Sequence, residues 1–118
     1  MKRLAPQSSK FVVSCLANIA LPRGAKALDA PCGYGRHTLA LRDRGFTVTA
    51  LDIDPRRVAA VSAELSRKGY RGARSKAEIA DLEQANAVPA RAFDVALVVD
   101  YASEAGICHI LAGVRLGG

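Results

Sequence analysis

One stretch constrains this chain more than any other: Ala27-Leu28-Asp29-Ala30-Pro31-Cys32-Gly33-Tyr34-Gly35-Arg36-His37, an apolar run that ends in an acid and passes into a Gly-x-Gly turn. The apolar run reads as a buried strand. Two glycines directly after it let the backbone turn sharply and start a helix, whose first amides lack partners within the helix. A loop of this kind brings backbone N–H groups close to a small ligand.

Alternation continues on both sides of that loop. Lys26 to Ala30 reads as strand, Gly35 to Arg44 as helix, Thr47 to Leu51 as strand and Pro55 to Lys68 as helix. The last of these is well marked. Asp54 caps it, Pro55 suits its first turn, Val58, Val61 and Leu65 line one face, and Gly69 stops it. A third strand falls within Arg74 to Ile79. The continuous apolar run Phe93 to Val99 has the character of a fourth strand buried on both faces, and a helix from about Ser103 to Ala112 follows. Between them, residues 82–92 contain Pro89 and little helical periodicity. Ahead of all these elements, Ser8 or Ser9 can cap a helix over about residues 8–21, which Pro22 and Gly24 end. Such alternation gives a parallel sheet with right-handed crossovers. The expected fold is a Rossmann-like, doubly wound α/β domain with strand order 3-2-1-4 and its core from residue 25 onward.

Length and charge narrow the function classes. At 118 residues, half of them apolar, the chain holds one core and not two. Seventeen Lys and Arg against eleven Asp and Glu give a net charge of +6. These charges are scattered, with only short clusters such as Arg56-Arg57 and Arg67-Lys68, so they read as a solvated surface and no nucleic-acid partner is expected. Nor is a membrane: the apolar run from Phe11 to Leu21 is interrupted by Asn18 and is shorter than the ~20 residues a spanning helix needs. Cys15, Cys32 and Cys108 form no Cys-x-x-Cys pair and, with His37 and His109, show no metal-ligand spacing. Reduced thiols, no metal and a cytoplasmic location are the expectation. Cys32, inside the glycine turn, reads as a packing residue rather than a nucleophile.

An open doubly wound sheet binds ligands beyond the carboxyl ends of its strands. Asp29, Asp52, Asp81 and Asp100 stand there, one at or just past each strand end. Asp54 and Asp94 have plainer duties, capping a helix and opening a strand. Asp52 follows Gly33 by nineteen residues, where a carboxylate can accept both hydroxyls of a ribose. The cofactor therefore contains a nucleoside, and two kinds fit. A nicotinamide dinucleotide is disfavoured because Thr38 replaces the third glycine of Gly-x-Gly-x-x-Gly and because Asp29 would repel a pyrophosphate. S-adenosylmethionine carries an amine and a sulfonium and no phosphate, which suits Asp29. Asp81 offers an acceptor for the adenine amine.

The same residues carry a resemblance. Leu28-Asp29-Ala30-Pro31-Cys32-Gly33-Tyr34-Gly35-Arg36 resembles the first motif of class I S-adenosylmethionine-dependent methyltransferases, and Val48-Thr49-Ala50-Leu51-Asp52-Ile53-Asp54 resembles the acidic second. Ala80-Asp81-Leu82 is similar to the third motif and Phe93 to Val99 to the fourth. Ser9-Lys10-Phe11-Val12, Gly35-Arg36-His37 and Val99-Asp100-Tyr101 are similar to small bacterial enzymes of the tellurite-resistance type. The resemblance implies that Asp29, Ala30 and the Gly33 to Gly35 backbone hold the methionine moiety and Asp52 the ribose. It likewise implies that Ile53 and Leu82 flank the adenine, Asp81 meets its amine, and Val99 and Asp100 border the methyl group. Ile53 and Leu82 could equally be plain core, whereas Asp52 and Asp81 have little structural reason to be acidic. The acceptor implied is a small molecule, and no residue is assigned as a base.

In that family the sheet continues with a fifth strand, introduced by a Pro-Gly-Gly-like turn, and an antiparallel hairpin. Here Val114-Arg115-Leu116-Gly117-Gly118 resembles that turn and the sequence stops. A C-terminally incomplete domain is therefore expected, with Phe93 to Val99 as an edge that pairs with a missing half or with a second copy. Three further readings stay open: a cofactor-binding fragment or interaction module without turnover, a nicotinamide-type Rossmann domain, and a basic, RNA-directed role.

Overall fold

Strands and helices alternate along the computed structural model, which describes residues 21–67, 75–99 and 101–115. In chain order they are β1 (Lys26–Asp29), α1 (Arg36–Asp43), β2 (Thr47–Asp52), α2 (Pro55–Arg67), β3 (Lys76–Ile79), β4 (Val95–Leu97) and α3 (Glu104–Ala112). The four strands form one sheet in the order β3-β2-β1-β4, and every neighbouring pair is parallel. This is the expected order. The expected helix over residues 8–21, together with Gly69, Arg74, Asp100 and Gly117-Gly118, lies outside the described residues.

Alternation of side chains along the central strands divides the core in two. Ala27 and Val48 pack with Leu41 of α1 and with Phe46, while Ala50 packs with Val61 and Leu65 of α2. On the opposite face Leu28 and Leu51 pack with Leu82, Val88, Phe93 and Ile110 of α3. Because β1 is covered on both sides, Ala27 and Leu28 are fully buried. α2 starts as its sequence demands: the Asp54 side chain accepts the Arg56 N–H at 2.9 Å and its carbonyl accepts that of Val58.

The fourth strand departs from its expected form. It spans Val95–Leu97 rather than Phe93 to Val99, and all three residues are half-buried instead of enclosed on both faces. Its first residues have other partners. Phe93 forms an isolated parallel bridge to Val114, accepting the N–H of Arg115 and donating to the carbonyl of Gly113. Asp94 meanwhile accepts the Lys26 N–H and pairs with Arg115 at 2.6 Å, which accounts for its charge. Between β3 and β4 the described chain runs through turns without a helix, as expected. No helix of the described residues is long and apolar enough to cross a membrane.

Candidate functional site

Three of the expected site segments meet at the carboxyl ends of β1 and β2. These strands run side by side with Asp29 in register with Ala50, so Asp29 and Asp52 emerge from adjacent strand ends. The glycine loop lies between them. Gly33 and Gly35 have φ of +56° and +90°, the left-handed region that side chains disfavour. Gly35 is held there for a second reason: a Cβ would lie 2.9 Å from Val61 Cγ2 of α2.

The loop amides correct one expectation. Gly33 N–H donates to Asp52 Oδ2 at 2.9 Å and Gly35 N–H to the Cys32 carbonyl at 3.0 Å, so neither stands open for a ligand. The glycines instead shape the loop and tie it to β2. Asp52, 1% exposed, also accepts the Asp54 N–H at 3.0 Å through Oδ1. A carboxylate taking two backbone amides has a structural reason to be acidic, contrary to the expectation. Each of its oxygens still has a lone pair for a further donor.

Asp29 is the electrostatic centre of the site. It is 2% exposed, and no basic side chain of the described residues pairs with it. Burial pushes its carboxyl up from 3.8 to about 7; the hydrogen bond from Thr38 opposes this rise and the charge of Asp52 adds to it. Thr38 Oγ1 donates to Asp29 Oδ2 at 2.6 Å. The residue that breaks the glycine pattern is thus the one that supports the acid. A buried carboxylate supported by one hydroxyl, with no counter-ion among the described residues, fits a ligand that brings its own cation. Cys32, next to both acids, has its thiol pushed up to about 12, by burial first and then by Asp29 and Asp52, which makes it a packing residue and not a nucleophile.

The remaining expected residues are distributed around this centre. Ala30 is fully buried and donates its N–H to the Leu97 carbonyl, so only its backbone borders the site. Ile53 is 62% exposed, an apolar side chain next to Asp52 in sequence and no part of the core. Leu82 is the opposite case, packed in the core with Leu28 and Leu51; its carbonyl is 2.7 Å from His109 Nδ1 of α3. The Asp81 side chain accepts the Glu83 N–H at 3.0 Å, so it too has a structural reason to be acidic. Val99 is half-buried against the α1 side of the core. Two side chains that sequence reasoning did not assign to the site contact its acids, Thr38 with Asp29 and Arg57 with Asp52, and the Tyr34 ring lies against Arg57. Only Thr38 left a trace in the sequence, as the missing third glycine. Among the described residues no group of three or more His, Cys, Asp or Glu is placed to hold a metal ion.

A parallel sheet in this order, with a glycine loop and paired acids at adjacent strand ends, defines a Rossmann-like domain that reads a nucleoside cofactor bearing a cation. Residues 27–114 match the methyltransferase domain family, and the chain belongs to that family. That match bears out the class read from the motifs, and solved S-adenosylmethionine-dependent methyltransferases share its fold. Among proteins of known activity it is 28% identical over 79 residues to the S-adenosyl-L-methionine-dependent Diels-Alderase iliD of Neonectria sp., covering 67% of this chain and 32% of iliD. The [4+2]-cyclase SpnF superposes with a TM-score of 0.76 at 25% identity, over 92% of this chain and 42% of SpnF. A TehB-like methyltransferase from Corynebacterium glutamicum superposes with a TM-score of 0.67 at 23% identity, over 90% of this chain and 58% of its own. The chain thus spans between a third and three-fifths of the proteins it matches.

Proposed function

We propose that this domain holds S-adenosylmethionine and presents its methyl group to a small-molecule acceptor. The observation that carries the reading is the pairing of Asp29 and Asp52 across the glycine loop, a buried acid with no basic partner among the described residues beside one able to take a diol. When bound, S-adenosylmethionine supplies an electrophilic methyl group on a sulfonium. Asp29 would accept hydrogen bonds from the ammonium group, whose charge favours the ionised carboxylate. Asp52 would accept the ribose hydroxyls on its free lone pairs. Ile53 would lie against the adenine and Asp81 would take its amine. Positioning of this kind is the main contribution a protein makes to such a transfer.

A second reading has the cofactor bound and not consumed, as in an inactive cofactor-binding module. The kinship with proteins named as a Diels-Alderase and a cyclase favours keeping it. Completion of the sheet beyond β4 by further chain or by a second copy, and a cytoplasmic location, belong to the same proposal.

Calorimetry with S-adenosylmethionine and with NAD tests the cofactor. S-adenosylmethionine should bind and NAD should not; preference for NAD would refute the charge argument. Asp52→Asn should weaken S-adenosylmethionine by about 1.5–3 kcal/mol, the range for hydrogen bonds to a charged group. Formation of S-adenosylhomocysteine with candidate acceptors separates transfer from holding.

A further inference from the structure

The ribose acid is covered. Its side chain is 2% exposed, and Arg57, in the first turn of α2, reaches over it with Nη1 3.9 Å from Asp52 Oδ1. The same guanidinium has Nε 3.7 Å from Asp54 Oδ2 and lies 5.6 Å from the centre of the Tyr34 ring. Tyr34 comes from the glycine loop and is 55% exposed. Side chains from the two segments that flank Asp52 therefore meet across its outer side.

These contacts are unequal. The amides of Gly33 and Asp54 are backbone groups within hydrogen-bond range of the carboxylate, fixed by the fold. Arg57 is held to Asp52 by charge at a distance too long for a hydrogen bond, and its side chain is 45% exposed. Rotation of its long side chain is the small movement that removes this contact.

We infer that Arg57, stacked on Tyr34, is a resident competitor for the ribose acceptor and sets the affinity of the nucleoside end of the site. A ribose diol must displace the guanidinium to reach Asp52. The diol supplies two neutral donors in place of a charge contact, while Arg57 moves into water and loses its ring. The inference rests on the proposed cofactor reading, in which Asp52 takes the ribose.

Exposed ion pairs and exposed cation–π contacts are both weak, so releasing this pair should tighten binding by about fivefold. The test is calorimetry of the wild-type chain, Arg57→Leu and Tyr34→Leu with S-adenosylmethionine and with adenosine. Arg57→Leu keeps the apolar stem and removes the guanidinium; Tyr34→Leu removes the ring that holds it. Both variants should bind both ligands more tightly than wild type, and the double variant should gain less than the sum of the two. Adenosine carries no charge, so a gain confined to S-adenosylmethionine would mean that Arg57 only repels a cation and would overturn competition for Asp52. Equal or weaker binding by Arg57→Leu would overturn the inference and leave the cofactor reading standing. Failure of all variants to bind either ligand would overturn both.

Discussion

Replacing Asp29 with Asn should separate stability from cofactor binding. The native carboxyl titrates near 7 instead of 3.8 because burial disfavours its charge. Its folded pKa lies above the unfolded one, so the folded state holds the proton more tightly across that interval. The resulting stabilisation is complete below about pH 4 and is lost as the pH rises to about 7. At ~1.4 kcal/mol for each tenfold change in the protonation equilibrium, the loss amounts to about 4 kcal/mol. Asn fills the same volume, keeps an acceptor for the Thr38 hydroxyl and does not ionise. Urea unfolding of both proteins at intervals from pH 4.5 to 7.5 reads the difference directly, with contributions common to both cancelling. Asp29→Asn should gain on the wild type by ~1.4 kcal/mol per pH unit across most of that range. The same substitution should weaken S-adenosylmethionine binding by at least about 1.5–3 kcal/mol, through loss of a charged acceptor. A stability difference that does not change with pH would refute the buried-acid reasoning, and unchanged affinity would remove Asp29 from the cofactor site.

Binding to the wild-type chain should weaken about fifteenfold between pH 7 and pH 5.5 as Asp29 takes up its proton, measured by calorimetry in matched buffers. Thr38→Val removes the hydroxyl at 2.6 Å from Asp29 and should cost about 1–3 kcal/mol at pH 8, where the acid is charged, and less at pH 5. Gly35→Ala should destabilise more than Gly24→Ala in thermal melts. Both positions have strongly positive φ, but only at Gly35 would the new methyl meet Val61, at 2.9 Å. In a Cys15→Ser background, iodoacetamide at pH 8 should modify exposed Cys108 and spare Cys32, whose thiol is pushed up to about 12; rapid labelling of Cys32 would contradict its buried setting.

Local signals carried most of the fold. The Asp54-Pro55 cap, the Val58, Val61 and Leu65 stripe and the glycine loop each fix their own geometry within a few residues, and the described structure agrees with them. The fourth strand is shorter than its apolar run because the partners of Phe93 and Asp94 include Val114 and Arg115, remote in the sequence. The same limit applied to the site. Asp29 and Asp52 were legible as acids at strand ends, but their other duties depend on partners that folding alone supplies: Thr38 for one, the Gly33 amide for the other. Arg57 looked like one surface charge among many, since nothing in the linear order places it over Asp52. Leu82 reads alike as core or as adenine contact until its packing is known.

The bond between the Gly33 amide and Asp52 has a consequence for which molecules the site can accept. It pins the glycine loop to β2, and Gly35 seated against Val61 stops the loop from sliding, so in the proposed reading the amino-acid and ribose ends of the cofactor would be held on one frame. Two grips fixed on one rigid frame act as a caliper. An analogue with one more or one fewer methylene between its ammonium and its ribose would satisfy one jaw and miss the other. Selection by length would then operate even among ligands that share both end groups.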